Sequence, residues 1–191
     1  MKLILLLILI PLKSLYIPLN KRKSKYYWKL PIDDKIPLIP IFIVPYLLHH
    51  LGILLVGIML WNSKYISPFL LSLIISYSIA VIFWFFVPNG VHRPSLPHTS
   101  FFTPLIRKLY VYDGDTNGFP SAHIFVTLLC GHYLSLGYPH LIAYIWTVIS
   151  TVILSVLFTK QHYVVDIVGG IVVYVVSFYL AGIINYSIVA L

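Results

Sequence analysis

The chain has 191 residues, of which 60% are hydrophobic and 9% are charged. An ordinary soluble domain carries about 25% charged residues, so this composition excludes a soluble globular protein and predicts a multi-pass integral membrane protein. A net charge of +8 can suit nucleic acid, but most of the positive charge lies in one short segment beside apolar runs. That arrangement is typical of contact with a membrane surface, so we expect the bilayer as a partner and no nucleic acid.

The first predicted unit, residues 1–35, has two parts. Residues 1–19 are apolar but interrupted by Pro11 and Lys13, which makes them a poor signal peptide and a marginal membrane span. Whether they cross the membrane stays open at this point. Residues 20–35 mix basic residues with Tyr26, Tyr27 and Trp28, a pattern typical of the membrane interface. We expect this part to anchor the chain at the surface or to gather anionic lipid head groups.

The second predicted unit, residues 36–191, is a membrane-embedded helix bundle. Its predicted spans are 36–61, 68–87, two within 116–159 that are separated by a break at 135–139, and 164–185. With the N-terminal segment, the fold class is an all-α polytopic membrane bundle of about six transmembrane helices. Three glycines of the last span are predicted to allow close helix packing: Gly169, Gly170 and Gly182.

Residues 119–123 are predicted to begin a helix at an anion site. Ser121 is a good N-cap, and residues 122–137 follow as an apolar helix. A helix N-terminus presents unpaired backbone N–H groups and the positive end of the helix dipole, which together attract anions. His123 falls in the first turn of this helix and points toward such a site.

His162 and Asp166 are four residues apart, so on a helix they share one face and the carboxylate can orient the imidazole. An imidazole held in this way is prepared to act as a nucleophile or a base. Counting membrane crossings puts the end of the third span, which precedes Arg93, on the same face as Ser121, His123 and His162. The polar motifs are therefore expected to meet at one membrane interface.

At these residues the sequence resembles the type 2 phosphatidic acid phosphatase superfamily, which has three motifs. The family's Pro-Ser-Gly-His motif corresponds to residues 120–123, and its Arg-His-Asp motif corresponds to His162 and Asp166. The first motif, a Lys followed by Arg-Pro, survives only as Arg93-Pro94. Its Lys falls at Phe86, and the third-motif Arg falls at Val156. In lacking the third-motif Arg, the sequence resembles the inositol phosphorylceramide synthase-like branch of the superfamily.

The resemblance implies that His162, held by Asp166, attacks phosphorus to form a phosphohistidine, while His123 protonates the departing lipid alkoxide. Arg93, Ser121 and the first amides of the helix are expected to hold the phosphoryl oxygens.

Lys160 is predicted either to replace the missing basic residues at the phosphate or to snorkel to the interface. Cationic side chains neutralise the phosphate in this scheme, so we expect no metal and no cofactor. Asp113 and Asp115 are interpreted as a turn.

The predicted function is a lipid-phosphate phosphatase acting on a phosphate ester or diphosphate of a lipid. Two alternatives stay open: a lipid phosphotransferase with an alcohol acceptor, and a non-catalytic lipid-phosphate transporter or scaffold. The membrane face also stays open, because the positive-inside rule favours the cytoplasm whereas the resemblance implies the outer or lumenal side. The sequence leaves the lipid and the oligomeric state undetermined.

Overall fold

The computed structural model describes residues 1–96 and 100–189, with side chains through residue 185, and confirms the all-α membrane bundle. No β-strand occurs in those two ranges, where only two isolated bridges form. Pro97 and His98 lie outside the described residues. The α-helices in chain order are α1 (Lys2–Ser14), α2 (Tyr16–Asn20), α3 (Pro31–Lys35), α4 (Ile43–Leu60), α5 (Ile66–Phe86), α6 (Thr103–Tyr112), α7 (Ala122–Gly137), α8 (Ile142–Phe158) and α9 (Val164–Val189).

Five helical segments among the described residues are long and apolar enough to cross a membrane. They are Lys2–Asn20, Pro40–Leu60, Ile66–Phe86, Pro139–Phe158 and Val164–Asn185, and the second and fourth of them open with a 3-10 turn. Helix α7 is a shorter apolar helix. The predicted count of about six membrane helices therefore corresponds to five of full length and one shorter helix.

The N-terminal segment, which the sequence left open, runs from one end of the bundle to the other. At its start, Lys2 Nζ donates to the carbonyl of Trp61, which lies between α4 and α5, at 3.0 Å. At its end, Asn20 Nδ2 donates to the carbonyl of Thr116, just before the α7 motif, at 2.8 Å. Between these ends α1 packs against α5.

Helix α7 is the central helix of the bundle. It packs against α4, α5, α8 and α9, and most of its side chains are buried. At 1.5 Å per residue its 16 residues span about 24 Å, less than the roughly 30 Å of a hydrocarbon core. Because protein rather than lipid surrounds α7, the helix can begin below the surface, with its N-terminal motif inside the bundle.

The connection between α5 and α7 is rich in proline, yet it is not a loop throughout. It contains α6, a ten-residue helix that begins next to Pro104. Proline fits the first turn of a helix, where its missing N–H has no partner, so here it starts a helix rather than breaking one. Ile106 is fully buried while Val111 and Tyr112 are exposed, so α6 lies across the end of the bundle.

Helix α9 approaches the start of α7 very closely at two of the three predicted glycines. A Cβ added to Gly170 would lie 2.7 Å from Ile124 Cβ and 2.9 Å from the Ser121 carbonyl oxygen, and one added to Gly169 would overlap the Phe119 ring. The prediction for Gly182 is wrong, because a Cβ there meets nothing within 4 Å. Of the three glycines, only the two near Asp166 thus lie at a close helix contact.

We expect Gly170→Ala to lower the free energy of unfolding by about 1–3 kcal/mol, because the methyl group would push α9 away from Ser121. Gly182→Ala is the matched control on the same helix, and its higher helix propensity should raise stability by about 0.5–1 kcal/mol. Thermal unfolding in detergent measures both variants. Equal shifts would contradict the close approach at Gly170.

Candidate active site

Asp166 joins the two predicted motifs. Its carboxylate is fully buried; Oδ2 accepts the Tyr163 N–H at 2.9 Å and Oδ1 accepts Asn89 Nδ2 at 3.3 Å. Its backbone carbonyl accepts the Ser121 N–H at 3.1 Å. A single residue therefore fixes the start of α9 against the start of α7.

His162 lies next to this carboxylate, as the spacing predicted. Its Nδ1 is 3.4 Å from Asp166 Oδ2, an ion-pair distance whose geometry falls short of a hydrogen bond. The imidazole is 8% exposed. Asp166 is thus in place to orient the ring and to keep Nδ1 on the inner side, which leaves Nε2 for chemistry.

His123 lies close to His162, with the ring centroids 5.8 Å apart. Its ring stacks on Tyr46 at 4.4 Å and lies beside His49 and His50, at 4.8 and 5.6 Å. The Thr127 hydroxyl lies 2.9 Å from His49 Nδ1, so His49 contacts the bundle interior, whereas His50 is exposed. The His123 ring is thus held from one side by α4 while its Nε2 atom is buried without a partner.

Ser121 is the N-cap residue of α7, as predicted, but its hydroxyl makes no capping hydrogen bond. Instead Ser121 Oγ is buried without a partner. The amides of Ala122 and His123 precede the first intrahelical hydrogen bonds, so the N-terminus keeps its free donors. The start of α7 therefore keeps free donors next to His123.

Arg93 lies at the site, but its guanidinium is engaged by the protein. Nη1 donates to the carbonyls of Tyr110 and Asp113 at 2.9 and 2.8 Å, and Nη2 donates to the Gly114 carbonyl and to Gln161 Oε1 at 2.8 and 2.9 Å. The cation also lies over the Tyr110 ring, and burial raises the pKa of that phenol to about 12. Only Nε, which is buried and unpartnered, remains available.

Lys160 contacts the site from the surface side. Its Nζ donates to the Asp33 carbonyl at 2.9 Å and to the Ile36 carbonyl, which ties α3 to the α8–α9 connection. Burial lowers the pKa of the Lys160 ammonium, while the neighbouring Asp33 and Asp34 carboxylates oppose that shift. Lys160 thus stands beside His162 without bonding to it.

Buried polar atoms without partners concentrate at this site. Seven such side-chain atoms occur in the described part of the chain, and four of them can donate hydrogen bonds into the site: Arg93 Nε, Ser121 Oγ, His123 Nε2 and Gln161 Nε2. Because buried polar groups are ordinarily paired, a cluster of unpaired donors indicates a place for an anionic group.

Two cavities open from the two histidines. The polar cleft, of about 220 Å³, lies on the His162 side and is lined by Lys29, Asp33, Asp34, Ile36, His92, Arg93, Pro94, Leu157, Lys160, His162 and Tyr163. The apolar cavity, of about 460 Å³, lies on the His123 side, where its walls include Tyr46, His49, His50, Tyr77 and Leu109. The site can therefore be reached from a polar and from an apolar side.

Sequence reasoning missed Asn89 and Gln161. Asn89 is fully buried, and besides its bond to Asp166 its Oδ1 accepts the Phe119 N–H at 2.6 Å. Gln161 binds Arg93. A buried role for Asn89 had one signal in the sequence, its position directly after the Phe86–Pro88 end of an apolar span.

The two motif positions that lack the family's cations lie away from the polar cleft. Phe86 is 71% exposed at the end of α5, and Val156 is fully buried in α8. The Val156 carbonyl accepts the backbone N–H groups of Gln161 and His162. The described structure therefore has no basic side chain at either position.

Fold and site together define a polytopic helical membrane protein in which a buried histidine–carboxylate pair at the start of α9 lies against the start of α7. A protein-family model described as the PAP2 superfamily matches residues 32–180. The chain belongs to this superfamily, whose members are phosphatases or phosphotransferases. Searches of curated proteins and of solved structures found no match.

We expect Asn89→Ala to lower stability by about 1–3 kcal/mol, because it leaves the Asp166 carboxylate and the Phe119 N–H short of a partner in the interior. Asn62→Ala, in the exposed α4–α5 connection, is the control and should change stability by less than about 0.5 kcal/mol. Thermal unfolding in detergent distinguishes the two. A neutral Asn89→Ala would show that Asp166 is held without it.

Proposed function

We propose that this protein is a membrane lipid-phosphate phosphatase that hydrolyses a phosphate ester or diphosphate of a lipid through a phosphohistidine. The observation that carries the proposal is the cluster of unpaired buried donors at Arg93, Ser121, His123 and Gln161, next to the His162–Asp166 pair. Unpaired buried donors favour a group with several anionic oxygens as their partner, and a nearby oriented imidazole favours attack on it.

In the proposed first step, His162 Nε2 attacks phosphorus and the bond between phosphorus and the lipid oxygen breaks. His123 gives its proton to the departing alkoxide, and Asp166 stabilises the positive charge that develops on His162. Ser121 Oγ, the free amides of α7 and Arg93 Nε hold the phosphoryl oxygens. The products are a lipid alcohol and phosphohistidine.

In the second step, water attacks the phosphohistidine and His123, now neutral, accepts the proton. The bond between phosphorus and nitrogen breaks, so His162 returns to its starting form and phosphate leaves. The polar cleft supports this route, because Lys29, Arg93 and Lys160 line it together with His162. The lipid would remain on the apolar side, beside His123.

Transfer to an alcohol is the second candidate, and the apolar residues at Phe86 and Val156 favour it. Fewer cations suit a monoanionic phosphodiester better than a dianionic phosphate monoester. The similarity to the inositol phosphorylceramide synthase-like branch rests on the same two positions. The two candidates share every catalytic residue and differ only in the acceptor.

The test is phosphate release by purified protein in detergent with EDTA, on phosphatidate and on polyprenyl diphosphate. We expect wild-type release, loss of detectable release in His162→Ala, and a fall of about 10²–10⁴-fold in His123→Ala, the range for a general acid. His140→Ala, on the far side of α7, is the control and should retain full activity.

Release that survives in His162→Ala would overturn the phosphohistidine mechanism. No release by the wild type, with transfer to an added alcohol acceptor, would favour the phosphotransferase. Neither release nor transfer would support the non-catalytic alternative.

A further inference from the structure

We infer that a groove between α1 and α4 holds the hydrocarbon chain of the substrate, with Lys13 where the chain meets the phosphate. The inference rests on the proposed function, since it assigns the lipid part of the same substrate. It adds a substrate class: a lipid with one chain long enough to pass the bilayer midplane.

The groove consists of two cavities that join. The apolar cavity beside His123 shares Lys13, His50 and Ile53 with a second cavity of about 680 Å³. This second cavity continues between α1, α4 and α5 as far as Trp61, and its walls are almost entirely apolar. A chain attached to a phosphate at His123 therefore has a continuous apolar path to the opposite end of the bundle.

The length of the path selects among lipids. From Tyr46, which stacks on His123, to Trp61 the groove follows α4 for about 22 Å at 1.5 Å per residue. One leaflet of the hydrocarbon core is about 15 Å deep. The groove is thus longer than one leaflet is deep and is bordered by α1, α4 and α5, which suits one long chain better than two ordinary acyl chains.

Lys13 supplies a complementary charge where the two cavities join, since it lines both of them. Its side chain is exposed, and its Nζ has no hydrogen bond or ion pair with any described residue. A cation within an apolar membrane helix is costly and is ordinarily functional. The cavity beside His123 is also lined by Asp113, by His49 and His50, and by four tyrosines, of which Tyr16 and Tyr46 donate to the Asp113 carboxylate at 2.9 and 3.4 Å.

One wall of the groove lies outside the region that matches the superfamily. Helix α1 precedes residue 32, where the match begins. Another apolar cavity, of about 320 Å³, lies between α5 and α9 next to Phe119, but its walls hold no polar side chain and neither histidine. The α1–α4 groove, in contrast, combines apolar walls, a cation and contact with His123.

Two glycines of α4 provide a matched test. Gly57 lines the groove and Gly52 does not, and a Cβ added to either meets nothing within 4 Å. Gly57→Phe should therefore fill the groove without disturbing the fold. We expect it to lower kcat/KM at least tenfold on a long-chain polyprenyl phosphate and to leave octyl phosphate, whose chain ends above Gly57, unchanged.

Gly52→Phe should leave both substrates unchanged. Equal behaviour of Gly57→Phe and Gly52→Phe on the long-chain substrate would overturn the groove assignment. Lys13→Met should raise KM about tenfold for both chain lengths, whereas Lys64→Met, at the far end of the bundle, should not. An unchanged KM in Lys13→Met would remove Lys13 from the site.

A second measurement does not depend on activity. A long-chain alkyl phosphate with a photoreactive diazirine at the chain end is bound to His162→Ala and cross-linked. We expect labelling near Gly57 and Trp61, and competition by unlabelled long-chain phosphate. Labelling spread over the lipid-facing helices, or placed at Phe119, would overturn the groove.

The two measurements separate the proposals. Groove labelling without phosphate release by the wild type would leave the groove standing and remove the phosphatase. Phosphate release that is insensitive to Gly57→Phe, with labelling elsewhere, would support the phosphatase and overturn the groove.

Discussion

The site depends on the burial of one carboxylate. Asp166 is inaccessible to solvent, so each of its oxygens needs a donor, and the protein provides the Tyr163 amide and Asn89. The same residue accepts the Ser121 N–H through its backbone. Because an unpaired buried charge is very unfavourable, these contacts hold the ends of α5, α7 and α9 in one arrangement. The positions of His162 and His123 follow from that arrangement.

The close approach of α9 to α7 completes this constraint. Gly170 lets the backbone of α9 lie against Ser121 and Ile124, and Gly169 leaves room for the Phe119 ring. Any larger residue would separate Asp166 from the Ser121 amide. Small residues at a helix crossing are the usual means by which membrane helices pack closely, and here they bring two polar motifs together inside an apolar bundle.

The proposed reaction fits the asymmetry of the site. His162 faces a cleft with several charged residues, and His123 faces a cavity with mostly apolar walls. A lipid phosphate has the same asymmetry, since its chain belongs in the bilayer and its phosphate in water. The N-terminal segment contributes to both sides: Lys13 lines the apolar cavity, and Lys29 and Asp33 line the polar cleft.

The sequence by itself determined the helical membrane fold, since runs of apolar residues of membrane length allow little else. It also determined that the 120–123 and 162–166 motifs meet, because the number of membrane crossings puts the starts of their helices on one face.

Only the tertiary structure decided which groups the site residues contact, because residue spacing and the number of crossings do not contain that information. Arg93 follows the third span as expected. Its guanidinium, however, donates to the carbonyls of Tyr110, Asp113 and Gly114, and the positions of these carbonyls depend on where α6 packs. Asn89 and Gln161 join the site only through contacts with segments distant in sequence. Such contacts depend on how helices pack, and packing is a property of the whole bundle rather than of any local pattern.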